Sequence, residues 1–245
     1  MIKFYFPPAG FGLWYQLGVL HKIQNKYTDY QLYGGSAGSI ICILSILKEK
    51  DSNFKKIVKI SDKIRKTIFN LNYYYYLDLF IKEVYKIINN YEIEYVQKKL
   101  KKIFIEVSEI NISVNLNFFE RKFINPKNLI ELRNLCIASC YLPFLFNYKN
   151  PIYYRIEDKK YCDGFFSNFS NVNDSFIKIN SYDYATIVPR TNKYFYYNYI
   201  LGKKYDFNQL NYNCSIFTFI KMTTNIVKDL FLLSTYDIFF RQIKN

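Results

Sequence analysis

The stretch Gly34-Gly35-Ser36-Ala37-Gly38 decides the fold, because the pattern G-x-S-x-G is typical of a serine on a sharp turn between a strand and a helix. Such a turn exposes the serine hydroxyl for attack. In the common hydrolase triad the histidine comes after the serine and the acid. The single histidine of this chain, His21, precedes Ser36 in a predicted helix, where packing or a surface position is its ordinary role. If Ser36 is a nucleophile, a carboxylate is therefore the expected base.

A second glycine-containing segment, Gly10-Phe11-Gly12, follows the first predicted strand. Glycines at such a position let backbone amides approach a ligand and hold a phosphate or an acyl oxyanion. A dinucleotide-binding fingerprint needs a third glycine, and Tyr15 stands there instead. Taken alone, this loop favours a plain strand-to-helix turn.

The candidate acid is Asp163, within Tyr161-Cys162-Asp163-Gly164. Asp-Gly by itself is typical of a turn. Residues 138–146 precede it and fit the pattern Ala-Ser-x-x-x-Pro-x-x-Phe. Glu157 and Asp158 are alternative acids, but they occupy the predicted tip of a hairpin, where solvation is expected.

Together, these segments resemble the patatin-like phospholipase family, in the order in which that family carries them, from about residue 3 to Asn168. The resemblance implies a three-layer α/β/α fold with a mainly parallel central sheet and flanking helices. It implies Ser36 as the nucleophile and Asp163 as its partner. The backbone amides of Gly10, Phe11 and Gly12 would form the oxyanion hole, and the remaining motif glycines are Gly34, Gly38 and Gly164.

The chain departs from the family pattern in two places. The family's loop usually carries a further glycine, often after a basic residue, where Tyr15 or a neighbour lies here. The family's Asp-Gly-Gly or Asp-Gly-Ala becomes Asp163-Gly164-Phe165. The second departure leaves the acid intact.

The chemistry that the resemblance implies is hydrolysis of a fatty-acyl ester, of the phospholipase A type, through an acyl-enzyme. It requires no metal and no cofactor. Two alternatives remain open, because these residues do not specify the headgroup of the lipid and do not establish that the protein catalyses hydrolysis. The first is a neutral-lipid (triacylglycerol) lipase, and the second is a catalytically silent lipid-binding relative.

Composition favours an anionic partner. The 245 residues include 34 Lys and Arg against 20 Asp and Glu, a formal net charge of +14. The 26 Tyr and 23 Phe suit a membrane–water boundary, although AT-rich codon usage would enrich the same residues. We expect a phospholipid or other lipid ester as substrate and a peripheral, anionic membrane surface as partner. No nucleic-acid motif is recognisable, so no nucleic-acid partner is expected.

The five cysteines, an odd number without zinc spacing, indicate reduced core thiols and an intracellular site. The apolar run at the amino terminus is too short for a signal peptide, and no apolar stretch reaches membrane-spanning length. The sequence thus predicts a cytoplasmic protein or one peripheral on membranes.

The order of predicted elements favours one α/β domain over residues 1–245. Strands are predicted at 2–6, 31–33, 103–119, 153–156, 160–162 and 185–188, and helices at 11–25, 37–47, 77–88, 95–105, 129–139 and 212–243, with a basic helix at 54–69.

Overall fold

The part of the chain that the structure describes contains seven strands and seven helices. The computed structural model describes residues 1–10, 12–48, 51, 54–67, 73–110, 119–142, 153–164, 175–179 and 192–207. The strands are β1 (Ile2–Phe6), β2 (Tyr30–Gly35), β3 (Ile103–Ile110), β4 (Phe119–Ile124), β5 (Tyr154–Ile156), β6 (Lys159–Cys162) and β7 (Ile177–Lys178). The helices are α1 (Leu13–Lys26), α2 (Ala37–Leu44), α3 (Phe54–Thr67), α4 (Tyr73–Ile88), α5 (Ile93–Leu100), α6 (Leu129–Ser139) and α7 (Asn192–Lys203).

The strands form one mixed sheet in the order β5-β6-β3-β2-β1-β7, with β4 also paired to β3. β1 runs parallel to β2 and β7, and β2 runs parallel to β3. In the described residues, β3 is antiparallel to β4 and β6, and β5 is antiparallel to β6. The predicted α/β fold is confirmed. Its parallel centre is as expected, and antiparallel strands extend it on one side.

Burial explains why the central elements form where the sequence predicted them. All eight residues of α2 are buried, because this apolar helix packs against the first three strands and α6. α6 has the predicted bounds, and the Asn128 side chain caps it by accepting a hydrogen bond from the Glu131 amide at 2.9 Å.

The predictions differ from the structure at three elements. The helix predicted at 95–105 ends at Leu100, because the alternating β-branched residues that begin at Ile103 form β3. β4 was not predicted as a separate strand, since its charged residues mask the alternation. α7 was missed because its many tyrosines give no clear apolar stripe.

Several predictions lie outside the described residues. These are the helix at 212–243, the strand at 185–188, the second half of the 138–146 motif, Phe11, Asn168 and Cys214.

α1 and α7 cross at two glycines. A Cβ atom added to Gly18 would lie 2.1 Å from the carbonyl oxygen of Tyr199, and one added to Gly202 would lie 2.0 Å from that of Tyr15. The backbones of the two helices therefore touch where neither has a side chain.

Candidate active site

Ser36 occupies the turn between the end of β2 and the start of α2. Its φ of 51° and ψ of −118° are unusual for a residue with a side chain. Such a backbone conformation costs about 1–3 kcal/mol and persists only where the surrounding structure enforces it, often at functional sites. The side chain is nearly buried, with 9% of the residue exposed. The strand–serine–helix turn predicted from the sequence is present in the structure.

Close backbone contacts account for the glycines of this turn. A Cβ atom on Gly34 would lie 2.2 Å from the carbonyl oxygen of Gly38. A Cβ atom on Gly38 would lie 2.0 Å from the carbonyl oxygen of Phe6 in β1. Both positions therefore require glycine, because α2 is pressed against the ends of β1 and β2.

Ser139, at the end of α6, fixes the backbone of Ser36. The Ser36 amide donates a hydrogen bond to Ser139 Oγ at 2.8 Å, and Ser139 Oγ donates to the Glu106 carbonyl oxygen at 2.6 Å. Ser139 is fully buried. The sequence identified this serine only as part of a family pattern, because a contact across 103 residues has no local signal.

Asp163 follows β6 and is 1% exposed. Its amide donates to the Tyr141 carbonyl oxygen, and its carbonyl oxygen accepts from Ser108 Oγ, both at 2.8 Å. The backbone that carries this carboxylate is therefore held from two sides.

The strand registers bring the ends of β2 and β6 to neighbouring positions of β3. Gly35 pairs with Glu106, and Cys162 pairs with Ser108, so one residue of β3 separates the two positions. Ser36 directly follows the first strand end and Asp163 the second. The two residues that the sequence selected thus belong to the same region of the fold.

The Cys140 thiol interacts with both candidate residues. Burial raises its pKa well above the usual range, and the negative charge of Asp163 raises it further. Hydrogen bonds with Ser39 and Ser36 act in the opposite direction, and Ser39 Oγ lies 3.5 Å from Cys140 Sγ. The thiol is therefore neutral at physiological pH and forms part of the wall of the site.

The glycine loop after β1 contains a left-handed backbone position and an engaged amide. Gly10 has a φ of 52°, a left-handed conformation that favours glycine. The Gly12 amide donates to the Ala9 carbonyl oxygen at 2.9 Å, so an oxyanion would compete with this hydrogen bond. Phe11, the third predicted oxyanion-hole residue, lies outside the described residues.

Glu106 is a residue that the sequence analysis missed. Its carboxylate is fully buried in β3, where Oε1 lies 2.6 Å from Arg121 Nε and Oε2 accepts from the Tyr5 hydroxyl at 2.5 Å. The available signal was a charged residue in the otherwise apolar start of β3, at a position that neighbours the Ser36 turn.

The other residues that the sequence analysis considered lie in packing or surface positions. His21 packs against α7, with Nδ1 2.9 Å from the Tyr199 hydroxyl oxygen, in agreement with the predicted packing role. Glu157 and Asp158 are exposed at the hairpin tip between β5 and β6. The four described cysteines are free and buried.

Comparison with known protein families relates the chain to lipid acyl hydrolases. The family model for patatin-like phospholipases matches residues 9–175, more than half of the chain. The chain belongs to the patatin-like phospholipase family. No curated protein matches it. Among the described residues, no helix combines the length and the apolar character that crossing a bilayer requires.

Proposed function

We propose that this protein is a phospholipase A-type enzyme that hydrolyses fatty-acyl esters through Ser36 and Asp163. The observation that carries the proposal is the backbone of Ser36, whose φ of 51° is maintained by the Ser139 hydrogen bond. Strain of this kind at the end of a strand, beside a buried carboxylate, is a feature of nucleophilic serine sites. Family membership supplies the lipid ester as the class of substrate.

The reaction proceeds in two steps. Asp163 accepts the Ser36 hydroxyl proton while Ser36 Oγ attacks the ester carbonyl carbon. The tetrahedral intermediate collapses to an acyl-enzyme as Asp163 gives the proton to the departing alcohol oxygen. Water then attacks the acyl-enzyme, with Asp163 again accepting and returning a proton, and the fatty acid leaves.

The negative oxygen of the intermediate needs backbone donors. We assign this role to the amides of the 10–12 loop together with the first amides of α2, whose positive dipole end adjoins Ser36. The Ser36 amide is held by the buried Ser139 hydroxyl and is not assigned this role, whereas the Gly12 amide would exchange its bond to the Ala9 carbonyl oxygen for the oxyanion. Loss of one such donor typically costs about 3 kcal/mol of transition-state stabilisation.

A basic surface supports an anionic membrane as the place of reaction. α3 buries Phe54, Ile57 and Ile64 and exposes Lys55, Lys56, Lys59 and Lys63. Cationic side chains attract acidic headgroups over about a Debye length, roughly 8 Å at physiological salt. We therefore expect binding to vesicles that contain phosphatidylglycerol to exceed binding to pure phosphatidylcholine vesicles and to weaken as salt is added.

The decisive experiment follows fatty acid released from mixed phospholipid vesicles. Ser36→Ala and Asp163→Asn are expected to lower the rate by about 10³-fold or more, as loss of a nucleophile or its base does in other serine hydrolases. Ser45→Ala and Asp51→Asn are matched controls, since each removes a buried group of the same kind beyond the far end of α2. Both controls should keep most of the activity of their folded fraction.

Three results would contradict the proposal. Release by Ser36→Ala at the parental rate would exclude the serine as nucleophile. Vesicle binding without any release by the parent would favour the silent lipid-binding relative. Release from triacylglycerol emulsions but not from phospholipid vesicles would identify the neutral-lipid lipase instead.

A further inference from the structure

The Glu106 side chain lies between the two turns that carry Ser36 and Asp163. A Cβ atom on Gly35, the residue before Ser36, would lie 2.3 Å from Glu106 Oε2. A Cβ atom on Gly164, the residue after Asp163, would lie 3.3 Å from Glu106 Cγ. Because Gly35 and Gly164 have no side chains, the Glu106 side chain fits between the two turns.

The position of this carboxylate is fixed. Arg121 from β4 holds Oε1 at 2.6 Å, and the Tyr5 hydroxyl from β1 donates to Oε2 at 2.5 Å. Only 9% of the Arg121 side chain is exposed, and none of the Glu106 side chain is. Because a single buried charge would be strongly unfavourable, the Glu106 carboxylate and the Arg121 guanidinium must stay paired. The pairing fixes the position of the Glu106 side chain.

The backbone of Glu106 contacts the same site. Its carbonyl oxygen accepts a hydrogen bond from the Ser139 hydroxyl. That hydroxyl oxygen accepts a hydrogen bond from the Ser36 amide. Glu106 thus acts on the Ser36 turn through its main chain and adjoins Gly35 and Gly164 through its side chain.

We propose that Glu106 is a positioning residue, whose carboxylate is the spacer that sets the separation of the Ser36 and Asp163 turns. The inference rests on the proposed function, since that function gives the separation its importance. Glu106 does not contact the substrate in this proposal. It acts through volume and rigidity, and Arg121 and Tyr5 keep it in place.

A double-variant cycle tests the spacer directly. Gly35→Ala should be damaging in the parent, because the new methyl group meets a carboxylate oxygen that Arg121 and Tyr5 hold. In the Glu106→Ala background that oxygen is gone, so Gly35→Ala should be neutral or should partly restore what Glu106→Ala lost. Equal effects of Gly35→Ala in both backgrounds would overturn the proposal.

Steady-state hydrolysis of p-nitrophenyl butyrate, which needs no membrane, supplies the catalytic measurement. Glu106→Ala should lower kcat by about 10- to 100-fold, the scale that a misplacement near 1 Å produces, while KM changes less than about threefold. Glu109→Ala is the matched control, because it lies on the same strand and pairs with Lys159 at 3.7 Å. It should leave kcat within about twofold of the parent.

Glu106→Gln separates volume from charge and serves if Glu106→Ala does not fold. Its amide keeps the side-chain volume and an oxygen that accepts from Arg121, so the kcat of the folded protein should remain within about threefold of the parent, while loss of the charge lowers the melting temperature. A loss above about tenfold would overturn the spacer in favour of an electrostatic role.

Thermal unfolding distinguishes this inference from the proposed function. The coupling between positions 35 and 106 should appear in the melting temperature whether or not the ester is cleaved. If Ser36→Ala cleaves the ester as fast as the parent, the proposed function fails even where the coupling is present. If Ser36→Ala is inactive and the coupling is absent, the spacer inference alone fails.

Discussion

The two ends of α2 are built in opposite ways. At the start of the helix, the Ser36 turn is held by backbone contacts at Gly34 and Gly38 and by the buried Ser139 hydroxyl. Beyond its end, polar and aromatic side chains make the contacts, where Asp51 is buried and Lys48 and Tyr91 are half-buried. The Tyr91 hydroxyl donates to Asp51 Oδ2 at 2.5 Å, and Lys48 Nζ lies 5.1 Å from the ring centre of Tyr91.

The two ends of α2 should differ in how well they tolerate amino-acid substitutions. Backbone contacts at van der Waals distance leave no room for a side chain, and buried hydrogen bonds leave no water to replace a lost partner. Half-buried side chains such as Lys48 and Tyr91 keep access to water, which can replace part of a lost contact. Substitutions should therefore be severe at the start of α2 and mild beyond its end, and the following predictions rank them.

Gly38→Ala should have the largest effect. Helix propensity alone would favour alanine by about 1 kcal/mol. The new Cβ atom would instead lie 2.0 Å from the Phe6 carbonyl oxygen, which forces α2 away from β1. We expect the free energy of unfolding in urea to fall by about 3 kcal/mol or more. Gly164→Ala, whose nearest contact would be 3.3 Å, is the milder comparison, and a stabilised Gly38→Ala would refute the tight contact.

Ser139→Ala should come next. It leaves the buried Ser36 amide without its side-chain acceptor, at a cost of about 1–3 kcal/mol. Hydrolysis of a short-chain ester should slow as well, because the Ser36 turn relaxes. The control is Ser45→Ala, which loses only a hydrogen bond to Cys42 within its own helix turn. Equal effects of the two substitutions on kcat would remove the distinction between the two ends.

Tyr91→Phe should have a smaller effect that depends on pH. At neutral pH the lost hydrogen bond to Asp51 should cost about 1 kcal/mol. Burial, and then the bond to Asp51, raise the pKa of Tyr91 above its usual value near 10. The folded state therefore retains the proton more strongly, so this contribution is full below pH 10 and is lost as pH rises through the folded pKa. Urea unfolding at neutral pH and above pH 10 should show the parent losing its advantage, and a constant difference would contradict this linkage.

Lys86→Gln should have the smallest effect. Its side chain is 70% exposed and pairs with Glu83 at 2.6 Å. The free energy of unfolding should change by less than about 0.5 kcal/mol. A loss of unfolding free energy comparable with that of Ser139→Ala would show that the exposed Lys86–Glu83 ion pair contributes as much as a buried hydrogen bond.

The sequence predicted local features of the site better than long-range ones. The Ser36 turn follows from a pattern of five adjacent residues, and β1 and α6 follow from short apolar runs with clear boundaries. These features depend on backbone geometry and periodicity, which neighbouring residues determine. The order of the predicted elements and the family resemblance together predicted the α/β fold.

The partners of these features could not be predicted in the same way. The hydrogen bond between Ser36 and Ser139 spans 103 residues, and that between Tyr5 and Glu106 spans 101. A single glutamate in a strand does not indicate which arginine, tyrosine or glycine will surround it. The space left by Gly35 and Gly164 exists only once β2, β3 and β6 have assembled.

The crossing of α1 and α7 has a consequence for the order of folding during synthesis. The family match ends at residue 175, yet His21 in α1 contacts Tyr199, which lies 178 residues further along the chain. At translation rates of about 5–20 residues per second, α1 emerges roughly 10–40 s before its partner helix. The face of α1 that packs on α7, which includes Gly18 and His21, is therefore completed only after that interval of synthesis.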